Sequence, residues 1–226
     1  MSQGVDITES LPLAWSSYIA GEPVKSDDML EVRYPWDGSL TGTLSKITSG
    51  QLEQAIQAAL GNKEIPTKNE RYEILMRARD LLAKHSDEFA NLIRLEAGLC
   101  MRETRYEVGR AQEVFKFAAA EALRDDESIF SCDAAKNGPA RKIFTLREPL
   151  SLIVAITPFN HPLNQVAHKL APAIAAGVPV LLKPSSKTPL TAIRLTELLY
   201  EAGLPKPMLS TFVGDRKMIT EALVKD

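Results

Sequence analysis

Cysteine is almost missing from this chain. Cys100 and Cys132 are the two in 226 residues, and they lack metal-site spacing, which excludes a disulfide framework and a thiolate metal centre and points to a reducing cytoplasm. A dominant charge is missing too: 27 Lys and Arg stand against 29 Asp and Glu, a net charge of −2. That is no footprint for nucleic acid, which needs a clustered basic surface. No apolar run approaches the roughly 18 residues of a membrane span. The opening MSQGVDITESLPLAW has no basic stretch followed by an apolar core, so a secretory signal is not expected. There is no internal repeat and no low-complexity segment. What remains is an ordinary globular balance, 25% charged and 45% apolar, in a chain able to bury roughly 70% of its unfolded surface.

The stretch Ser151–Gly214 organises the rest. Three apolar runs, Leu152–Ile156, Val178–Leu182 and Leu209–Val213, alternate with two helical patterns, which predicts β-α-β-α-β and a parallel sheet covered on both faces. In the first helix Leu163, Val166, Ala167, Leu170 and Ile174 recur at helical spacing, and Gly177 can close it in a left-handed conformation. Pro172 inside it predicts a kink. Thr188 as N-cap and Pro189 at the first position open the second helix, and Gly203 and Pro205 stop it. Ligands of such sheets sit outside the carboxyl ends of the strands. Those ends carry Thr157-Pro158-Phe159-Asn160 and Lys183-Pro184-Ser185-Ser186.

Upstream, residues 1–14 read as a loose tail. Trp15–Ile19, Leu30–Tyr34 and Leu40–Leu44 read as short strands about the turn Pro35-Trp36-Asp37-Gly38. Helices follow over Gln51–Leu60, capped by Ser49 and ended by Gly61, then Asn69–His85, Ser86–Gly98 capped by Ser86, and about Arg102–Leu123. The last has apolar residues on two stripes: Val108, Phe115 and Ala119 oppose Val114 and Phe117, with Arg110, so cover on two sides is expected. Ser128–Cys132 and Lys142–Leu146 predict a hairpin leaving the domain, and Met218–Lys225 a final helix.

The segment REPLSLIVAITPFNHPLNQVAHKLAPAIAAGVPVLLKPSSKTPLTAIRLTELLYEAGLP resembles the NAD(P)-dependent aldehyde dehydrogenase superfamily. That family shows a Pro-Trp/Phe-Asn-x-Pro turn, a helix ending APALAAG, a strand into Lys-Pro-Ser-Glu and a helix ending EAGLP. Weaker similarity extends from about Tyr18 to Val213. The resemblance implies an α/β fold, a Rossmann-like sheet with flanking helices that forms an incomplete coenzyme domain. It implies three parts: residues 1–127, a β-hairpin oligomerisation arm at 128–147, and a βαβαβ coenzyme-binding segment at 148–226, the catalytic domain being absent. A homo-oligomer follows from the arm, and NAD or NADP as coenzyme.

Carried over residue by residue, Asn160 matches the family's oxyanion asparagine, whose amide donates to developing negative charge. On spacing alone it is equally an Asx-turn residue before His161-Pro162. Ile156, Thr157, Pro158 and Phe159 match positions lining the coenzyme, and Lys183, with Ser185 beside it, the lysine that meets the adenosine ribose. From the residues themselves, a lysine ending an apolar strand needs a ligand or water at its ammonium, or it snorkels. Ser186 stands where many members have a glutamate that would repel a 2′-phosphate. After Gly214, Arg216 replaces a second glycine, and arginine suits phosphate. Both departures predict that NADP is accepted as well as NAD.

His161 replaces the family's more usual Phe. With Arg110 it would receive an anionic group on a small aldehyde, as in the lactaldehyde- and phosphonoacetaldehyde-dehydrogenase branch that the Gly-Asp-Arg ending also resembles. The plainer alternative pairs Arg110 with Glu107 or Glu113 and leaves His161 a turn residue. The family's thiolate and general-base carboxylate lie beyond the position of Asp226. Cys100 and Cys132, without flanking histidines, read as structural, so these 226 residues alone are not expected to oxidise aldehydes. Other readings are a non-catalytic binding or assembly module, or one half of a split enzyme with a separate catalytic half as partner. An unpaired apolar sheet edge after the third strand, or the arm, is expected to drive self-association.

Overall fold

The computed structural model describes residues 11–125 and 127–225; most of the expected tail lies outside them. Eleven strands are described: β1 Ala14–Trp15, β2 Tyr18–Ile19, β3 Glu22–Pro23, β4 Met29–Arg33, β5 Leu40–Ile47, β6 Ile129–Ser131, β7 Lys142–Phe144, β8 Ile153–Ile156, β9 Val180–Lys183, β10 Leu209–Thr211 and β11 Val213–Gly214. The helices are α1 Ser49–Leu60, α2 Lys68–Lys84, α3 Ser86–Ala97, α4 Met101–Ala122, α5 Asn164–Ala176, α6 Leu190–Glu201 and α7 Arg216–Thr220, which runs into a π-helical turn, Glu221–Lys225.

The central sheet has the order β3-β2-β10-β9-β8. Its last three strands are parallel, with Val180 beside both Ile153 and Leu209. Moving from β8 to β9 to β10 in one direction puts α5 and α6 on the same face. Strand alternation then divides the core: Val180 and Leu182 pack with α2, α4, α5 and α6, whereas Leu181 turns to the other face with Leu52, Ala55 and Phe212. Phe89, Phe115 and Phe212 are wholly buried, each contributing about 2–3 kcal/mol of apolar transfer.

The expected free edge is not where the apolar runs suggested. β10 is flanked by β2, antiparallel through Thr211 and Tyr18, and β11 leaves to pair with β5. The open edge of the parallel part is β8. The reason is the β2–β3 hairpin, whose two-residue turn has Ala20 at φ 46 and Gly21 at φ 80. Both values are positive, as a type I′ turn demands.

Three caps differ from the sequence-based expectation. Thr48, not Ser49, caps α1, in a capping box with Gln51. Ser86 is the first residue of α3, and no side chain caps that helix. Thr188 does not cap α6; its hydroxyl is buried without a partner. Gly177 has the expected left-handed φ of 76, and α5 runs unbroken through Pro172. The second stripe of α4 is covered only in part: Val108, Phe115 and Ala119 are buried and Val114 packs against the core half-buried, but Phe117 is 65% exposed.

β6 and β7 form a separate antiparallel pair, Ile129 opposite Phe144 and Phe130 opposite Ile143. All four of these side chains are more than half exposed, so the hairpin is apolar on both faces.

Candidate functional site

β8 and β9 end side by side. Ile156 is in register with Lys183, and the Thr157 amide donates to the Lys183 carbonyl at 3.3 Å. Thr157 is buried; Ile156, Pro158, Phe159 and Asn160 are exposed. Beyond β9 the chain turns at once, the Lys187 amide donating to the Ser185 hydroxyl at 3.2 Å and leaving Ser186 exposed. Lys187 lies over the Phe159 ring, 4.6 Å from its centroid, which bridges the two turns by a cation–π contact.

Lys183 is half-buried, and burial, then the charge of Arg216, lowers its pKa from the usual lysine value. Arg216 is the first residue of α7, a helix capped by the Asp215 carboxylate, which accepts from the Met218 amide at 2.8 Å. Neither cation makes an ion pair with a carboxylate among the described residues. Two adjacent uncompensated cations at the carboxyl edge of a sheet suit a phosphate-bearing ligand. Gly214 is closely packed: a Cβ there would lie 3.2 Å from the Ile47 side chain and carbonyl, so these would have to give by a few tenths of an ångström.

On the other side of the Thr157–Asn160 turn stands a residue that the sequence offered only as a partner for Arg110. Glu107, on α4, is 2% exposed. Its Oε1 accepts from the amides of Leu163 at 2.8 Å and Asn164 at 2.9 Å, and its Oε2 lies 3.4 Å from His161 Nδ1. Glu107 caps the start of α5 from another helix. Glu96 does the same for α6, accepting from Leu190 at 2.7 Å and Thr191 at 3.0 Å. The available signal was a lone carboxylate within each apolar stripe, Glu107 beside Val108 and Ala111 and Glu96 after Leu92 and Ile93.

Arg110 is exposed, and the plainer pairing for it is not found. The Glu107 carboxylate is taken by α5 and His161, and Glu113 pairs with Lys116 at 3.2 Å. Arg110 lies three residues along α4 from Glu107, on the helix that reaches His161. Cys100 is exposed at the N-cap of α4 and Cys132 sits in the hairpin. A groove of about 860 Å³ lies between α4 and α5, lined by Val114, Phe117, His168, Pro172 and Arg147 among others. None of the residues singled out for the coenzyme lines it. The candidate chemistry therefore lies at the sheet edge, where unpaired charge and the strand ends coincide.

Comparison with known proteins decides the family. The model of the aldehyde dehydrogenase family matches residues 23–226. This chain belongs to the aldehyde dehydrogenase family. Among aldehyde dehydrogenases it is similar to the 3-sulfolactaldehyde dehydrogenase of Priestia megaterium, 38% identical over 210 residues, 92% of this chain and 44% of that one. The lactaldehyde dehydrogenase of Methanococcus aeolicus is 32% identical over 220 residues, 92% of this chain and 45% of that one. The NADP-dependent glyceraldehyde-3-phosphate dehydrogenase of Bacillus halodurans, solved with NADP, superposes with a TM-score of 0.88 at 29% identity, over 94% of this chain and 46% of that one. The chain thus spans less than half the length of these relatives. Its sheet and flanking helices are those of aldehyde dehydrogenase structures. Among the described residues no helix is long and apolar enough to cross a membrane.

Proposed function

We propose that this chain supplies the coenzyme-binding part of an NAD(P)-dependent aldehyde dehydrogenase acting on a small aldehyde that bears an anionic group. The observation that carries the reading is Lys183 at the end of β9 with Arg216 at the start of α7 close enough for its charge to lower the Lys183 pKa, neither in an ion pair with a carboxylate among the described residues. Ile156, Thr157, Pro158, Phe159, Ser185, Ser186 and Gly214 would frame the dinucleotide around that pair. When bound, the dinucleotide supplies the hydride acceptor. Exposed Ser186 places no negative charge where a 2′-phosphate would lie, which favours acceptance of NADP beside NAD.

Asn160 would donate its amide to the substrate oxygen as negative charge develops there. His161 and Arg110, both exposed and linked through α4, would receive the anionic substituent. The relatives act, by name, on aldehydes of this kind: 3-sulfolactaldehyde, aspartate semialdehyde and glutarate semialdehyde. A homo-oligomer joined through the two-faced apolar hairpin, a reducing cytoplasmic setting and a catalytic half met in trans belong to the same reading.

Calorimetric titration with NAD and NADP tests it. Both are expected to bind, and Lys183→Ala to abolish binding of each. Binding of NAD with none of NADP would remove the dual specificity, and undiminished binding to Lys183→Ala would remove the site. Acid production from 3-sulfolactaldehyde on adding a catalytic half, and not before, would establish the shared active site.

A further inference from the structure

The histidine beside Asn160 is not a free surface ring. One of its nitrogens, Nδ1, lies 3.4 Å from a carboxylate oxygen of Glu107, and that carboxylate is almost wholly buried. The other oxygen of the same group is committed to two backbone amides at the start of α5, those of Leu163 and Asn164. Glu107 therefore cannot rotate away without stranding buried donors. His161 Nε2 has no hydrogen-bond partner among the described residues, and the side chain is 46% exposed. A buried anion facing one ring nitrogen dictates which nitrogen carries the proton, because an ionised carboxylate only accepts.

We infer that Glu107 is a positioning residue for the substrate end of this site: it locks His161 with its proton on Nδ1, fixes the ring plane, and so presents Nε2 beside Asn160 to the polar substituent of the aldehyde. The inference rests on the reading that Asn160 and His161 face the substrate. Glu107 acts on both at once, since the two amides it caps follow His161-Pro162 directly and hold the backbone that carries Asn160. The arrangement is that of a base whose second nitrogen is held by an orienting carboxylate, with the orienter reaching across from a different helix.

Imidazole nitrogen NMR on the uniformly ¹⁵N-labelled full chain tests this directly. The chain has three histidines, and loss of one signal set in His161→Phe assigns the ring. At a pH where the rings are neutral, His161 is expected to carry its proton on Nδ1 by an excess of about tenfold, the population ratio one charge-assisted hydrogen bond supports. A free histidine side chain prefers Nε2.

In Glu107→Gln the side-chain carbonyl still accepts from the α5 amides, and the NH₂ group faces His161. Nδ1 must then accept, and the tautomer is expected to invert while the signals of His85 and His168 stay in place. A wild-type His161 protonated on Nε2, or one that keeps its tautomer in a folded Glu107→Gln, overturns the inference. If Glu107→Gln does not fold, the wild-type spectrum is decisive by itself. The tautomer is read without nucleotide, so a chain that binds no NADP still decides the role of Glu107.

Discussion

Glu96 holds the amide of Leu190 at 2.7 Å across 94 positions of sequence. The same carboxylate takes the amide of Thr191, so a residue of α3 does for α6 what a local Ser or Thr usually does. Replacing it by alanine leaves two buried donors bare. Glu96→Ala is expected to lower unfolding stability by about 2–4 kcal/mol, read by urea denaturation, whereas Thr188→Ala, at the position expected to cap, should change little.

Burial raises the Glu96 pKa from 4.5 to about 7, against the opposing pull of its hydrogen bonds with Thr191 and Leu190. The folded state then binds this proton more tightly than the unfolded chain does. The contribution is fully present below about pH 4.5 and is lost as the pH rises through about 7. Stability is expected to fall by up to about 3 kcal/mol across that window. In Glu96→Gln that part of the slope should vanish. Chemical denaturation at half-unit pH steps checks the difference.

Ser186→Glu restores the carboxylate that Ser186 lacks. It is expected to weaken NADP about tenfold or more while leaving NAD within about threefold, since like charges at contact cost on the order of 1 kcal/mol or more. Arg216→Ala should act in the same direction. Calorimetric titration distinguishes both from a general loss of the site, which would weaken the two coenzymes alike.

Ile129 and Phe144 face one another on the hairpin, 65% and 67% exposed. Paired apolar side chains in that state favour association. The double variant Ile129→Lys, Phe144→Lys is expected to shift the chain to monomer in sedimentation velocity. A wild-type monomer at the same concentration would contradict the role given to the arm.

Ala20 holds a left-handed φ of 46 in the β2–β3 turn, a conformation that disfavours a Cβ by about 1 kcal/mol. Ala20→Gly is expected to raise the melting temperature by a few degrees, less whatever its greater unfolded-state freedom takes back.

The parallel unit was legible because its apolar runs and helix breaks repeat: β8 and β10 fall within Leu152–Ile156 and Leu209–Val213, and β9 runs one residue past Val178–Leu182. So were the long helices, within one or two residues at each end. What escaped were features made by residues far apart. No local rule shows that Glu96 and Glu107 cap helices begun 94 and 56 positions later. Nor does one show that a hairpin at Tyr18–Pro23 closes the edge of β10. The same holds at the site. Asn160 and Lys183 stood out through their motifs, whereas the effect of the Arg216 charge on Lys183 depends on β11 leaving the sheet to pair with β5 before α7 begins.

On the proposed function, Glu96 and Glu107 also bear on where an incoming phosphate would be met. The helix starts that follow β8 and β9 would ordinarily offer it bare N–H groups and the positive end of a dipole, but each is already occupied by the carboxyl oxygens of a buried glutamate. Attraction there falls to flexible side-chain cations standing in half-solvated surroundings, and such attraction fades as counterions crowd in. Dinucleotide affinity in this chain should therefore slacken with rising salt more steeply than in a fold that greets the pyrophosphate with backbone alone.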